Sequence, residues 1–216
     1  MIDSLKFKTQ QRLLEAAGEV FASHGFRKAT VREICKRAHA NVASVNYYFH
    51  DKKALYSAVL QYAHQCALER YPPDHGLRKN ATVQERLRTF IQSFLLRFLD
   101  DGRPAWHGKL IAREMIEPTQ ALDVLVEKEI RPLSQRLEAI IREFLNTRAD
   151  TERVQLCARS IVAQCIFYYH ARSVINRLYP NQKYDRHGIE QLTDHITRFS
   201  LGALKELRKH IKAVKP

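Results

Sequence analysis

The 216-residue sequence predicts an all-α fold. Apolar residues recur three and four apart through most of its length, extended alternating segments bounded by turn residues are absent, and Pro104, Pro118 and Pro180 fall between the periodic segments. With 45% hydrophobic and 27% charged residues, the composition excludes a collagenous, low-complexity or mainly disordered chain. No run approaches the roughly 18 uncharged apolar residues that a membrane span needs, so a soluble, unexported, cytoplasmic protein without a membrane partner is expected. The cysteines Cys35, Cys66, Cys157 and Cys165 form no CxxC pair, which fits a reducing compartment better than a disulfide scaffold.

The first predicted helix starts near residues 7–9, carries Leu13, Leu14, Ala17, Val20 and Phe21 on one face, and stops at His24-Gly25, where glycine can take a left-handed conformation. The second begins at Thr30, an N-cap with Glu33 three residues on completing a capping box, and buries Val31, Ile34, Cys35 and Ala38. After a break at His39-Ala40, Asn41 caps a brief third helix ending near Phe49, with Val45 and Phe49 inward. Asp51 caps a fourth over residues 52–69, and Pro72-Pro73 ends it. That pair sets the predicted boundary between domains 1–71 and 72–216. Further helices are expected over 83–99, 106–116, 119–146, 151–178 and 188–214, with a kink or restart at Pro132.

The 36 Lys and Arg outweigh 23 Asp and Glu, a formal charge of +13 that points to a polyanionic partner such as nucleic acid. The excess sits at the ends: +5 over residues 1–70, +1 over 71–147 and +7 over 148–216. Two short helices joined by a tight turn, preceded by a third and set in a basic surface, fit a helix-turn-helix whose second helix enters the DNA major groove. An ordinary three-helix packing unit has the same spacing.

The residues also resemble a family. The segment EAAGEVFASHGFRKATVREICKRAHANVASVNYYFHDKKALYSAVL is similar to the N-terminal DNA-binding domain of the TetR family of transcriptional regulators, with Ala16-Ala17, Phe21, Gly25-Phe26, residues 30–34 (TVREI), Ala38, Phe49, Lys52 and Ala54-Leu55 in register. Asn41-Val42-Ala43 followed by residues 45–49 (VNYYF), and LIAREMIEP over 110–118, resemble the CecR-type branch. His39 departs from the family's usual glycine and Cys35 from its usual alanine. The resemblance implies an N-terminal helix-turn-helix domain, a C-terminal helical bundle for dimerisation and ligand binding, and a sequence-specific regulator, a repressor that binds a palindromic operator as a homodimer and is released by a small effector. The alternative is an architectural DNA-binding protein without an effector.

By analogy with the family, Arg32 and the third-helix residues Val42, Ala43, Ser44, Asn46, Tyr47 and Tyr48 face DNA, with Lys52 holding a phosphate and the caps Thr30 and Asn41 beside them. Arginine suits a guanine edge, asparagine an adenine, small apolar side chains a thymine methyl, and hydroxyls a phosphate. Tyr47 and Tyr48 have a second use as half-buried packing residues, and Arg32 as part of a solvated ion pair.

The stripe Leu192, Ile196, Phe199, Ala203, Leu207 and Ile211, together with Ile161, Cys165 and Tyr168, is the candidate dimer face in the last two helices; an internal core would carry the same pattern. Lys205, Arg208, Lys209, Lys212 and Lys215 read as a solvated face, a membrane-surface helix or a second DNA contact. For the effector that the resemblance implies, the candidate pocket residues are Trp106, His107, Leu110, Arg113, Glu114, Met115, Gln164, Phe167, Tyr168 and Tyr169, a set that plain core packing also explains. No GxSxG, Walker A, GxGxxG or HExxH signature occurs and no metal-ligand spacing emerges, so no enzyme, metal or cofactor is expected.

Overall fold

In the computed structural model, which describes residues 2–100, 104–145 and 150–213 without the side chains of 2–6, 105, 212 and 213, every regular element is helical. The helices are α1 (Ile2–Lys28), α2 (Val31–Ala38), α3 (Val42–Phe49), α4 (Lys52–Arg70), α5 (Val83–Leu99), α6 (Ala105–Ile116), α7 (Gln120–Leu125), α8 (Arg131–Leu145), α9 (Thr151–His170), α10 (Arg172–Leu178) and α11 (Arg186–Ala213), with a π-helical turn at Val126–Ile130. Among the described residues no helix is long and apolar enough to cross a membrane.

Where an end is marked by a local cap, the predicted boundary holds. The Thr30 hydroxyl accepts from the Glu33 amide at the start of α2, the Asn41 side chain from the Ala43 amide at α3, and the Asp51 carboxylate from the Ala54 amide at α4. The capping box at Thr30 is only half made, because the Glu33 carboxylate turns to Arg37 and His24 instead. Thr82 and Glu85 close a complete box at α5.

Three helices carry internal breaks. α1 begins at Ile2, earlier than expected, and its helical path breaks at Gly25 (φ 75°, ψ 168°), where the sequence places the stop, before a last turn to Lys28. The 119–146 segment restarts at Pro132 as expected: α7 ends at Leu125, a π turn follows, and Pro132, with no N–H to give, sits in the first turn of α8. The expected 151–178 helix divides at Ala171. The expected ends Asn146 and Val214 lie outside the described residues.

The chain forms two compact units. The first comprises Met1–Ala67 and Asp101–Ile130; the second comprises Leu68–Asp100 and Arg131–Pro216. The excursion 101–130 therefore belongs with the N-terminal helices, a division different from a single cut at 71/72.

The first unit's core joins Leu13, Ala17, Val20 and Phe21 of α1 to Ile34, Val45, Phe49, Leu55, Tyr56, Val59, Trp106 and Leu110. Trp106 packs so closely on Gly18 that a Cβ there would overlap the indole. In the second unit, Leu87, Ile91 and Leu95 of α5 pack with Leu137, Ile141, Ile161, Cys165, Leu192, Ile196 and Leu204 of α8, α9 and α11. Much of the stripe read as a dimer face is thus internal: Leu192, Ile196, Ile161 and Cys165 are buried within the unit, Leu207, Ile211 and Tyr168 are half-buried, and Phe199 and Ala203 face outward. Of the basic tail, Lys205 and Lys209 are exposed, Lys209 pairs with Glu206 at 2.9 Å, Arg208 lies over the Phe144 ring, and Lys212 and Lys215 lie outside the described side chains.

Candidate nucleic-acid interface

α2 and α3 are joined by residues 39–41. His39 takes φ 48° and ψ 48°, and its amide donates to the carbonyls of Cys35 and Lys36, closing the C-terminus of α2. The Cys35 thiol, pushed upward in pKa by burial, donates to the Asn41 carbonyl at 3.6 Å and ties the turn to the helix below it.

Over the two turns of α3, Val45 and Phe49 enter the core as predicted. Asn41, Val42, Ala43, Asn46 and Tyr47 are then exposed together, while Ser44 and Tyr48 are half-buried at the edges. Val42 is 43% and Tyr47 65% exposed, although Val45, between them in sequence, is fully buried. Tyr48 packs against the core, and its ring meets that of Tyr47 edge-on at 4.9 Å. The packing alternative holds for Tyr48 and not for Tyr47.

Arg32 is exposed beside this face and has no described partner, since Glu33 pairs with Arg37 and His24. The Lys52 ammonium donates to the Arg27 carbonyl at 3.3 Å and lies 4.7 Å from the Phe26 ring centroid, which docks the start of α4 on the end of α1 and leaves two ammonium protons free of that bond. The Thr30 hydroxyl oxygen and one face of the Asn41 amide are occupied by capping, yet the Thr30 O–H and the Asn41 NH2 remain available as donors. With Arg27, Lys28, Lys36 and Arg37 exposed nearby, the surface combines cationic, amide, hydroxyl and small apolar groups on a rigid helical frame. Such groups can hold phosphates and read base edges.

α6, which the sequence reading gave to the effector, supports this frame. Trp106, His107, Leu110 and Glu114 are all buried in the first unit. Arg113 reaches the Ala22 and Ser23 carbonyls at 3.4 and 3.5 Å, against the Gly25 kink, and Met115 is exposed. Glu114 accepts the Tyr56 hydroxyl at 2.6 Å and, through its other oxygen, the Thr119 amide and hydroxyl at 2.7 and 2.8 Å. Burial first, and then this bond, pushes the Tyr56 hydroxyl well above the usual tyrosine range. The network fixes α4 to α6 and to the turn before α7. It was missed in the sequence, although Trp106, Leu110 and Glu114 share a face at a spacing of four and an acid on an apolar stripe signals a buried partner.

Of the ten candidate pocket residues, six therefore belong to the first unit and Gln164, Phe167, Tyr168 and Tyr169 to the second. There Tyr169 meets Phe98 at 5.6 Å, and Phe98 stacks on Phe94. An open groove of about 440 Å³ runs between α9 and α11, lined by Ala163, Gln164, Phe167, Tyr168, His195, Ile196 and Phe199. Phe167 is 56% and Phe199 63% exposed.

Comparison with known proteins agrees with this layout. Residues 13–59 match the family model of bacterial regulatory proteins of the tetR family, and residues 83–204 match that of the C-terminal domain of the HTH-type transcriptional dual regulator CecR. The chain is 27% identical over 176 residues to the dual regulator CecR of Shigella flexneri, with 78% of each chain covered. It shares its fold with a TetR-like transcriptional regulator from Rhodococcus sp. RHA1 (TM-score 0.63, 18% identity, 90% of this chain and 96% of that one). It also shares the fold with AibR, solved in complex with isovaleryl coenzyme A and operator DNA (TM-score 0.61, 16% identity, 88% and 97%).

Proposed function

The chain belongs to the TetR family of DNA-binding transcriptional regulators, in the CecR branch, and from that premise we propose that it is a repressor whose homodimer reads a palindromic operator and leaves it when a small effector binds the second unit. The observation that carries the reading is the exposure pattern of α3, which buries Val45 and Phe49 while holding Val42, Asn46 and Tyr47 out to solvent. Any two-turn surface helix exposes one face; what favours the reading is that this face brings Val42, Ala43, Asn46 and Tyr47 together, groups suited to base edges and phosphates, beside the exposed Arg32.

In this reading Arg32 holds a guanine edge and Asn46 an adenine, Val42 and Ala43 lie on thymine methyls, and Ser44, Tyr47, Tyr48, Thr30, Asn41 and Lys52 supply phosphate or sugar contacts. One such head buries too little DNA for high specificity, and two in a dimer read two half-sites about 34 Å apart. The dimer face consists of what α9 and α11 leave outside, namely Phe167 and Phe199, with the exposed Gly202 and Ala203 allowing close helix approach. The effector occupies the second unit beside Gln164, Tyr168 and Tyr169, and AibR, with isovaleryl coenzyme A and operator DNA, is a precedent in the same fold. A ligand that favours the non-binding spacing of the heads by a few kcal/mol suffices for release.

DNase footprinting on a duplex containing a selected site tests the reading. Wild type is expected to protect two half-sites in successive turns of one face, and Tyr47→Ala to lose that protection at equal protein concentration while keeping the helical circular dichroism of wild type. Uniform protection along random duplex, unchanged by the substitution, would establish architectural binding instead.

A further inference from the structure

Two non-glycine residues among those described have positive φ, and both are histidines bracketing α3: His39 at φ 48° and His50 at φ 67°. Each closes a helix with its backbone, the His39 amide on Cys35 and Lys36 and the His50 amide on the Asn46 carbonyl. Glycine does that job at least conformational cost, and a β-carbon there is a standing penalty. Core packing does not account for these side chains, because both residues are exposed and neither imidazole has a hydrogen bond or ion pair among the described residues. The backbone turns serve the helix ends, but no internal contact accounts for histidine rather than glycine at either position, and that choice points to an outside partner.

The geometry supplies one. An eight-residue helix is about 12 Å long, and the major groove is about 12 Å wide. Residues just beyond the two ends of so short a helix are within reach of the phosphates that line the groove it enters. Imidazole donates from both nitrogens when protonated, and it is the side chain that changes charge between pH 5 and 8.

We propose that His39 and His50 are phosphate contacts at the two ends of the reading helix, and that operator binding weakens as these imidazoles lose their protons. This rests on the DNA-binding reading of the first unit. The charged and titratable groups around them are Lys36 and Arg37 of α2, Glu19 and His24 of α1, Glu33 between them, Tyr47 and Tyr48 of α3, and Asp51, Lys52 and Lys53 at the start of α4. Arg37 is held by Glu19 and Glu33, His24 faces Glu33, and the Asp51 carboxylate caps Ala54. The anions nearest in sequence thus have other cations or donors, and neither imidazole has a carboxylate of its own.

The experiment measures fluorescence anisotropy of a labelled, selected duplex at about pH 6 and pH 8 over a salt series, with the full-length wild type and the double variant His39→Asn/His50→Asn. Asparagine tolerates the left-handed region and carries no charge. Wild type is expected to bind about tenfold tighter at the lower pH, the sum of several exposed charge interactions each worth a few tenths of a kcal/mol. The variant loses most of that response, and its log–log salt slope at the lower pH is shallower by about 0.9 for each phosphate no longer neutralised. At the higher pH the two proteins converge. A variant that keeps the wild-type pH response and salt slope overturns the proposal, and so does one that is weaker by the same factor at both pH values, which is the signature of a displaced helix. Should the asparagine variant fail to fold, His39→Gly/His50→Gly, which relieves the strain, is read by the same criteria. Wild type that binds no duplex at either pH overturns the DNA reading as well, and is distinguishable from the outcomes above.

Discussion

Replacing Glu114 by glutamine removes one charge and changes one oxygen into a donor without altering the volume of a fully buried side chain. The oxygen that takes the Thr119 amide and hydroxyl can survive as the glutamine carbonyl. The Tyr56 hydroxyl then faces an NH2 group; it can turn to accept, but its own proton loses the acceptor it had at 2.6 Å. Losing the charge assistance and stranding one buried donor should destabilise the unit by about 2–3 kcal/mol. Glu114→Ala strands three donors and should reach about 3–5 kcal/mol. For a chain of this size these become drops in melting temperature of about 4–12 °C and 6–20 °C, at about 2–4 °C per kcal/mol. The assay is chemical denaturation followed by circular dichroism, with Tyr56→Phe and the double variant completing a cycle. A coupling of about 1 kcal/mol or more between positions 56 and 114 is expected. A glutamine variant within about 0.5 kcal/mol of wild type, or a coupling indistinguishable from zero, would refute the view that this network holds α6 to α4.

Gly18→Ala should destabilise by about 1–3 kcal/mol, because the new methyl group overlaps Trp106, and pairing it with Trp106→Leu should recover part of that loss in a thermal melt. Tyr47→Ala or Val42→Ala should weaken binding to the selected operator by about 1–3 kcal/mol in titrations while leaving the melting temperature within a degree or two, since both side chains are solvent-facing. Phe199→Asp should shift the protein to monomer in sedimentation at micromolar concentration and abolish two-half-site protection; a stable dimer in that variant would move the interface elsewhere. Burial raises the Cys165 thiol from 9.0 to about 12 and the Tyr62 hydroxyl from 10.0 to about 12. Both groups stay protonated longer folded than unfolded, so their contribution is intact below pH 9 and is lost as pH climbs toward 12. Urea midpoints should therefore be flat near pH 8 and fall above about pH 9 to 10, and Cys165 should resist alkylation until the protein unfolds.

What the sequence made legible is what local chemistry decides. Thr30, Asn41 and Asp51 mark helix starts because a side-chain oxygen three or fewer residues from an orphan amide does the same job in any fold, and the Val45/Phe49 pair gives the inner face of α3 by spacing alone. Amphipathic stripes say that a face is buried without saying against what. Leu192 and Ile196, which suit an interface by pattern, fill their own unit's core, and Trp106, Leu110 and Glu114, which suit a pocket by pattern, brace α1 and α4. Long-range partners of this kind, with Tyr56 lying 58 positions from Glu114, leave no periodic trace. His39 was visible as a departure from glycine, whereas His50 shows its positive φ only in three dimensions.

The central claim, a dimeric and sequence-specific reader of DNA, is tested most directly by selecting binding sites from random duplexes with the purified protein at a fixed salt concentration. Recovery of a palindrome with two half-sites about one helical turn apart is the predicted result. A pool that stays random through successive rounds, from a protein that nevertheless retains DNA with a steep salt dependence, would contradict it.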